Sequence, residues 1–244
     1  MSTTHTEVLT MHFDEEHVSK SYLAWPAGQQ SPQPGILVIP EFWGLTDHIK
    51  NRACMLAELG YCALALDIYG DGWVGNTAEE AATAMNKLFS NMKKTSERML
   101  SYLEALKDLK QTDETRTASI GYCLGGALSL HLARMGAEVT GVASFHGSLD
   151  PHTNIKPGSV KTKVLVCHGE ADSMIPKEKV QNFKKEMEEA GVDYKFISYP
   201  DAQHGFTNPQ ATENGKKFDI PTAYNEKANT DSWEEMLKFF KQLF

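Results

Sequence analysis

Residues 117–130 constrain the fold of this chain more than any other stretch of its sequence. A short apolar run, residues 118–120, is followed by Gly121, Cys123 and two further glycines, and then by small and apolar residues typical of a helix start. This order predicts a strand, a sharp turn and a helix, with the Gly-x-Cys-x-Gly spacing of a nucleophile elbow that has cysteine in the serine position. Glycines suit such a turn because larger side chains would collide with the neighbouring strand and helix. We therefore predict a nucleophilic Cys123, the alternative being a glycine-rich turn with a buried cysteine.

Continuous apolar runs alternate with helical patterns along the rest of the chain. The predicted strands are residues 18–25, 36–39, 61–66, 139–145, 163–167 and 194–199, and the stretch before the first of them is expected to pair with it as a hairpin. The predicted helices are residues 47–59, two within 77–109 with a break near 90–95, 177–190 and about 222–244. This alternation implies right-handed crossovers and a doubly wound, mostly parallel α/β sheet with helices on both faces. No repeat or linker interrupts the 244 residues, so one domain, residues 1–244, is predicted.

Charge and composition exclude several classes of function. The formal net charge of −8 argues against a nucleic-acid partner or an anionic membrane. No run approaches the roughly 18 apolar residues of a membrane span, and the polar N-terminal stretch does not resemble a signal peptide. The four cysteines lack C-x-x-C spacing, so the sequence predicts neither a zinc knuckle nor a thioredoxin-type site. No metal or other cofactor is expected. Three of the cysteines lie in apolar runs, as reduced and buried cysteines do, so the expected compartment is the cytoplasm.

A nucleophilic cysteine needs a base, and the base needs a group that orients it. Asp172 follows the predicted strand 163–167, and His204 follows the predicted strand 194–199. The loops after parallel strands meet at one edge of the sheet, and the chain order nucleophile, acid, histidine is that of α/β-hydrolases. The sequence therefore predicts a triad of Cys123, His204 and Asp172.

Other residues compete for these two positions. His146 is the best alternative base, but it precedes Asp172 in the chain and breaks the expected order. Glu170 and Asp201 are the alternatives to Asp172 as the acid.

Five segments stand in a fixed order along most of the chain: residues 39–45, 67–70, 121–126, 168–172 and 202–206. In this combination the chain resembles the dienelactone hydrolase family of α/β-hydrolases. The resemblance implies hydrolysis of a carboxylic ester or lactone through an acyl-enzyme that forms on the cysteine of the triad. The implied partner is a small-molecule substrate, and the oligomeric state stays open.

The resemblance also implies a role for Glu41, which would pair with the thiol in the resting enzyme and control when the thiolate forms. A carboxylate at the end of a buried strand is rarely there for packing, although a solvated strand-end glutamate is the alternative. The expected oxyanion hole consists of two backbone N–H groups, that of Leu124 and that of Phe42 in the loop after the strand.

Two positions depart from the family pattern. The enzyme that gives the family its name holds the carboxylate of its substrate with two arginines, where this chain has Asp71 and Asn208. An aspartate would repel a carboxylate, so a small neutral or aromatic ester is expected rather than an anionic dienelactone. Hydrolysis of dienelactone and non-catalytic ligand binding are the alternatives. Four aromatic residues near the predicted loops are candidates for the substrate pocket, with core packing as the alternative: Trp43, Tyr69, Tyr122 and Phe206.

Overall fold

The computed structural model describes residues 3–14 and 17–244, and within these ranges it contains eight strands and seven helices. The strands are β1 (Thr4–Asp14), β2 (His17–Pro26), β3 (Gln33–Ile39), β4 (Cys62–Ala65), β5 (Thr112–Tyr122), β6 (Gly141–Phe145), β7 (Lys163–Gly169) and β8 (Tyr194–Tyr199). The helices are α1 (Asp47–Glu58), α2 (Ala78–Phe89), α3 (Met92–Lys107), α4 (Leu124–Arg134), α5 (Lys177–Ala190), α6 (Ala211–Phe218) and α7 (Glu226–Leu243). No helix in the described part of the chain is long and apolar enough to cross a membrane.

The strands form one mostly parallel sheet in the order β1-β2-β4-β3-β5-β6-β7-β8. The α/β class and the mostly parallel sheet predicted from the sequence are therefore confirmed. By its contacts the chain divides into two compact units, Met1–Ile120 and Gly121–Phe244, and β5 runs across the division. The single domain stays a prediction.

The first unit begins with the expected hairpin, β1 and β2, in which Thr4 lies opposite Pro26. β2 pairs antiparallel with β4, which pairs parallel with β3. Residues 36–39 and all of β4 are buried, as expected of strands covered on both faces. α2 and α3 are separate helices because each has its own N-cap, Thr77 and Asn91, whose side chains accept backbone N–H hydrogen bonds from the first turns.

The second unit contains the parallel strands β6, β7 and β8. Because the strands run in one direction, the loops after them leave from one edge of the sheet. α4 is buried along its whole length, from Leu124 to Arg134. This burial holds the helix that follows the predicted elbow in one position against its neighbours.

The last part of the chain differs from the prediction. α7 begins at Glu226 rather than near residue 222, because Thr222 forms a parallel bridge with His204 and the Asn225 side chain caps the helix. α6 (Ala211–Phe218) was not predicted. The segment before α7 thus supports the loop that carries His204.

Candidate active site

Cys123 occupies a strained turn between a strand and a helix. β5 ends at Tyr122 and α4 begins at Leu124, and between them Cys123 has φ 53° and ψ −112°. A non-glycine residue with positive φ persists only where its surroundings hold it. Here the Cys123 N–H donates to the Phe145 carbonyl oxygen at 3.0 Å, and the Cys123 carbonyl oxygen accepts from the Ala127 N–H at 3.2 Å. The side chain is half-buried.

The glycines around Cys123 are there for steric reasons. A Cβ atom on Gly121 would lie 1.9 Å from the Gly125 carbonyl oxygen. A Cβ atom on Gly126 would lie 2.6 Å from Ser144 Oγ and 2.8 Å from the Cα atom of Gly147. The strand, turn and helix therefore approach one another so closely that side chains are excluded, as the elbow pattern predicts.

His204 and Asp172 form a buried pair. Nδ1 of His204 lies 2.8 Å from Oδ2 of Asp172, and the side chains are 6% and 0% exposed. The other carboxylate oxygen of Asp172 accepts the Met174 N–H at 2.9 Å, which fixes the carboxylate. The two loops can meet because Gly169 has no side chain: a Cβ atom there would lie 2.4 Å from the Ala202 carbonyl oxygen.

The charges around His204 change its titration. Burial disfavours the imidazolium, but the negative charge of Cys123 when it is deprotonated and the hydrogen-bonded carboxylate of Asp172 outweigh it and raise the pKa of His204 to about 10. Because Asp172 occupies Nδ1, the ring nitrogen that remains for proton transfer is Nε2, which is buried and has no hydrogen-bond partner among the described residues. The imidazole is thus oriented by the carboxylate and coupled by charge to Cys123.

The alternatives to the predicted base and acid lie in surroundings that differ from those of the His204–Asp172 pair. The Nε2 atom of His146 lies 2.8 Å from Thr207 Oγ1, and its ring packs edge-on against His204 at 5.3 Å between ring centroids. Glu170 and Asp201 are exposed, and Asp201 has a left-handed backbone. Asp172 is thus the buried acid that contacts His204.

The remaining predicted residues of the loop after β3 lie in the first unit. Glu41 is buried, and its carbonyl oxygen accepts the Gly44 N–H at 3.1 Å. The Phe42 carbonyl oxygen accepts a hydrogen bond from the Tyr69 hydroxyl at 3.0 Å, and the Phe42 ring packs against Trp43. The loop after β3 and the loop after β4 are therefore joined by the hydrogen bond between Phe42 and Tyr69.

The other two aromatic candidates pack within the second unit. Tyr122 and Phe206 have no exposed surface. The Tyr122 ring stacks on Phe145 at 4.9 Å, and the Phe206 ring packs edge-on against His146 at 5.1 Å. Both rings therefore contribute to the core beneath the candidate site.

Neither of the two positions that depart from the family pattern holds a positively charged residue. Asp71 is exposed and pairs with Lys20 at 3.1 Å. Asn208 is buried, and its side-chain oxygen accepts the Gln210 N–H at 2.9 Å.

Sequence reasoning missed Gly169 and Thr207. A glycine that ends a strand is a usable signal for close approach, whereas nothing in the sequence indicates the Thr207 contact. Within residues 3–14 and 17–244, no group of three or more His, Cys, Asp and Glu side chains is placed to hold a metal ion.

A mostly parallel sheet with an elbow and a histidine–carboxylate pair beyond the strands defines the class of α/β-hydrolases. The family model described as the dienelactone hydrolase family matches residues 20–244, and the chain belongs to that family. The protein is therefore a hydrolase that acts on ester or lactone bonds.

Individual relatives extend over nearly the whole chain. A solved structure of a dienelactone hydrolase-like promiscuous phosphotriesterase from metagenomic libraries is 33% identical, with a TM-score of 0.93 over 99% of each chain. A Methylorubrum extorquens protein that carries the provisional name carboxymethylenebutenolidase is 28% identical over 240 residues, 93% of this chain and 78% of its own length. "Protein usf" of Aquifex pyrophilus is 27% identical over 213 residues, 86% of this chain and 88% of its own.

Proposed function

We propose that the protein hydrolyses small neutral carboxylic esters or lactones through a Cys123–His204–Asp172 triad and an acyl-enzyme. The observation that carries the proposal is the buried pair of His204 and Asp172, joined at 2.8 Å, together with the charge of Cys123 that helps to raise the pKa of His204. A cysteine nucleophile is activated by a histidine base that a carboxylate holds in orientation.

In the first half of the reaction Cys123 gives its thiol proton to His204 Nε2, and its sulfur attacks the carbonyl carbon. The C–S bond forms, and the electron pair of the C=O double bond moves to oxygen. The backbone N–H groups of Leu124 and Phe42 are the proposed donors to this oxyanion, and Leu124 is suited because the first N–H groups of a helix lack helical partners. When the tetrahedral intermediate collapses, the alkoxide leaves with the proton of His204 Nε2, and a thioester remains.

In the second half a water molecule attacks the thioester. His204 Nε2 takes a proton from the water, the C–O bond forms and the C–S bond breaks, so the carboxylic acid leaves and Cys123 is regenerated. Asp172 stabilises the imidazolium that exists after each proton transfer. With a lactone substrate the alcohol and the acid leave as one molecule.

Glu41 is proposed to hold the resting Cys123 as a thiol. Its burial supports a role beyond solvation, because a buried carboxylate costs free energy unless it is paired. Asp71 and Asn208 support the preference for neutral substrates, since neither offers a positive charge to a carboxylate. The structural relative that is a promiscuous phosphotriesterase supports adding a neutral p-nitrophenyl dialkyl phosphate to the substrate panel.

The proposal is tested by turnover of p-nitrophenyl acetate. We expect Cys123→Ala and His204→Ala each to lower kcat by about 10³-fold or more while the circular dichroism is unchanged, and the double variant to be little worse, because the residues act as a unit. Cys54→Ala, which removes the other half-buried free cysteine, is the matched control and should keep full activity. Full turnover by folded Cys123→Ala would refute the proposal.

A further inference from the structure

His146 follows β6 in a backbone conformation that needs support. It is 1% exposed and has φ 40°, in the left-handed region that residues other than glycine adopt at a cost in free energy. Its N–H donates to the Cys167 carbonyl oxygen of the neighbouring strand at 2.8 Å. Such strain is retained where a side chain must point in a particular direction.

The His146 side chain points at the segment that carries His204. Its Nε2 atom lies within hydrogen-bond distance, 2.8 Å, of Thr207 Oγ1. Its ring packs edge-on against the ring of His204, with 5.3 Å between centroids and 63° between planes, and against Phe206 at 5.1 Å and 79°. One side chain thus contacts three residues of a single loop.

The other side of this loop is held by the backbone before α7. The Ala223 N–H donates to the His204 carbonyl oxygen, and the Asn225 N–H donates to the Phe206 carbonyl oxygen, both at 3.1 Å. These bonds fix the main chain, but they do not by themselves set the orientation of the imidazole ring. Asp172 fixes one end of the ring, and His146 covers a face of it.

We propose that His146 is a positioning residue for His204, locked in place by its hydrogen bond to Thr207. The inference rests on the proposed triad, in which His204 Nε2 must transfer protons between the sulfur, the leaving group and water. Proton transfer depends on the angle and distance of that nitrogen, and a displacement of about 1 Å can cost roughly 10²-fold in rate. An edge-on ring contact restricts the imidazole without taking either of its nitrogens.

The hydrogen bond can be removed from either side without removing a ring. His146→Phe keeps the ring contact with His204 and deletes the bond to Thr207, and Thr207→Val deletes the same bond while His146 is retained. We expect each variant to lower kcat with p-nitrophenyl acetate about tenfold or more with KM little changed, the signature of an interaction needed in the transition state. The double variant should be no slower than the slower single variant, because both changes remove one bond.

A structural role is separated from a positioning role by two further measurements. The proton resonance of the His204 Nδ1–H should shift or broaden in both variants, since it reports the geometry of the bond to Asp172. His152→Phe, a matched change further along the same loop whose ring contacts His131, should leave kcat and this resonance unchanged.

Wild-type kcat and an unchanged resonance in Thr207→Val and His146→Phe would overturn the assignment. An equal loss of kcat in His152→Phe would also overturn it. Cys123→Ala is measured in the same assay: if it retains turnover, the proposed triad itself is wrong, and if it is inactive while the His146 variants are normal, only the positioning role is wrong.

Discussion

The imidazole of His204 and the carboxylate of Asp172 are joined by a buried contact of 2.8 Å between Nδ1 and Oδ2. Against the opposing effect of burial, the charge of a deprotonated Cys123 and this contact with Asp172 together raise the pKa of His204 from 6.5 to about 10. The folded protein therefore holds the proton of His204 more tightly than the unfolded chain does, so protonation is linked to stability.

This linkage predicts the pH dependence of Asp172→Asn. The stabilisation from a raised pKa is fully present below pH 6.5, where the unfolded chain is also protonated, and is lost as the pH rises through about 10. Asp172→Asn should therefore lower the free energy of unfolding most near pH 6, by about 1–3 kcal/mol, and progressively less toward pH 10. Urea denaturation at pH 6, 8 and 10 measures this difference. Asp201→Asn, at an exposed aspartate, is the control, and a difference that does not change with pH would contradict the linkage.

Gly169→Ala should separate the loop of Asp172 from the loop of His204. The new Cβ atom would lie 2.4 Å from the Ala202 carbonyl oxygen and 2.9 Å from that of Gln203, so the backbone must shift. We expect a loss of about 1–3 kcal/mol in the free energy of unfolding and a fall in kcat. Thermal denaturation and steady-state kinetics measure the two effects.

The control for Gly169→Ala is Gly158→Ala. Within residues 3–14 and 17–244, no atom beyond residue 158 and its two chain neighbours lies within 4 Å of a Cβ placed there, so only the left-handed backbone, φ 73°, opposes the change. That strain costs about 1–2 kcal/mol and should leave kcat unaffected. Wild-type kcat in Gly169→Ala would show that the two loops tolerate the shift.

The sequence was sufficient for the features that depend on local patterns. Residues 36–39 could be assigned to a buried strand because a strand covered on both faces is apolar throughout. The turn at Cys123 could be placed because close packing of strand and helix excludes side chains at Gly121 and Gly126. The pairing of Asp172 with His204 followed from their positions after parallel strands.

The features that were missed depend on contacts between distant residues. The contact of His146 with Thr207 joins residues far apart in sequence, and no periodicity or spacing signals it. The late start of α7 is set by the bridge between Thr222 and His204 rather than by helix propensity. Tertiary contacts of this kind override local preferences, so they require coordinates.

The absence of arginine at positions 71 and 208 predicts the substrate preference. We expect a higher kcat/KM for p-nitrophenyl butyrate than for the p-nitrophenyl half-ester of succinic acid, which carries a carboxylate. One unit charge at about 4 Å in water is worth about 1 kcal/mol, or roughly fivefold. Asn208→Arg should narrow the gap. A higher kcat/KM for the anionic ester would indicate that another cation, such as Lys50 or Arg52, binds the carboxylate.

The proposed role of Glu41 leads to a prediction about the resting thiol. A helix N-terminus and a nearby histidine favour the thiolate of a cysteine, and an exposed thiolate is readily oxidised. A carboxylate beside the sulfur would disfavour a second negative charge and keep the thiol protonated until substrate disturbs the pairing. Glu41→Gln retains the shape of the side chain and removes its charge.

We therefore expect Glu41→Gln to make Cys123 react faster with iodoacetamide at pH 7 in the absence of substrate, by about tenfold if the pairing is worth about 1.4 kcal/mol. The rate should be measured in a Cys54→Ala background with the modified residue identified by mass spectrometry, because Cys54 is also half-buried and free. Glu58→Gln, at an exposed glutamate of the same unit, is the matched control. Because the substitution keeps side-chain volume, thermal stability should change little. An unchanged alkylation rate would mean that Glu41 does not act on the sulfur, and its role would then be sought within the loop after β3.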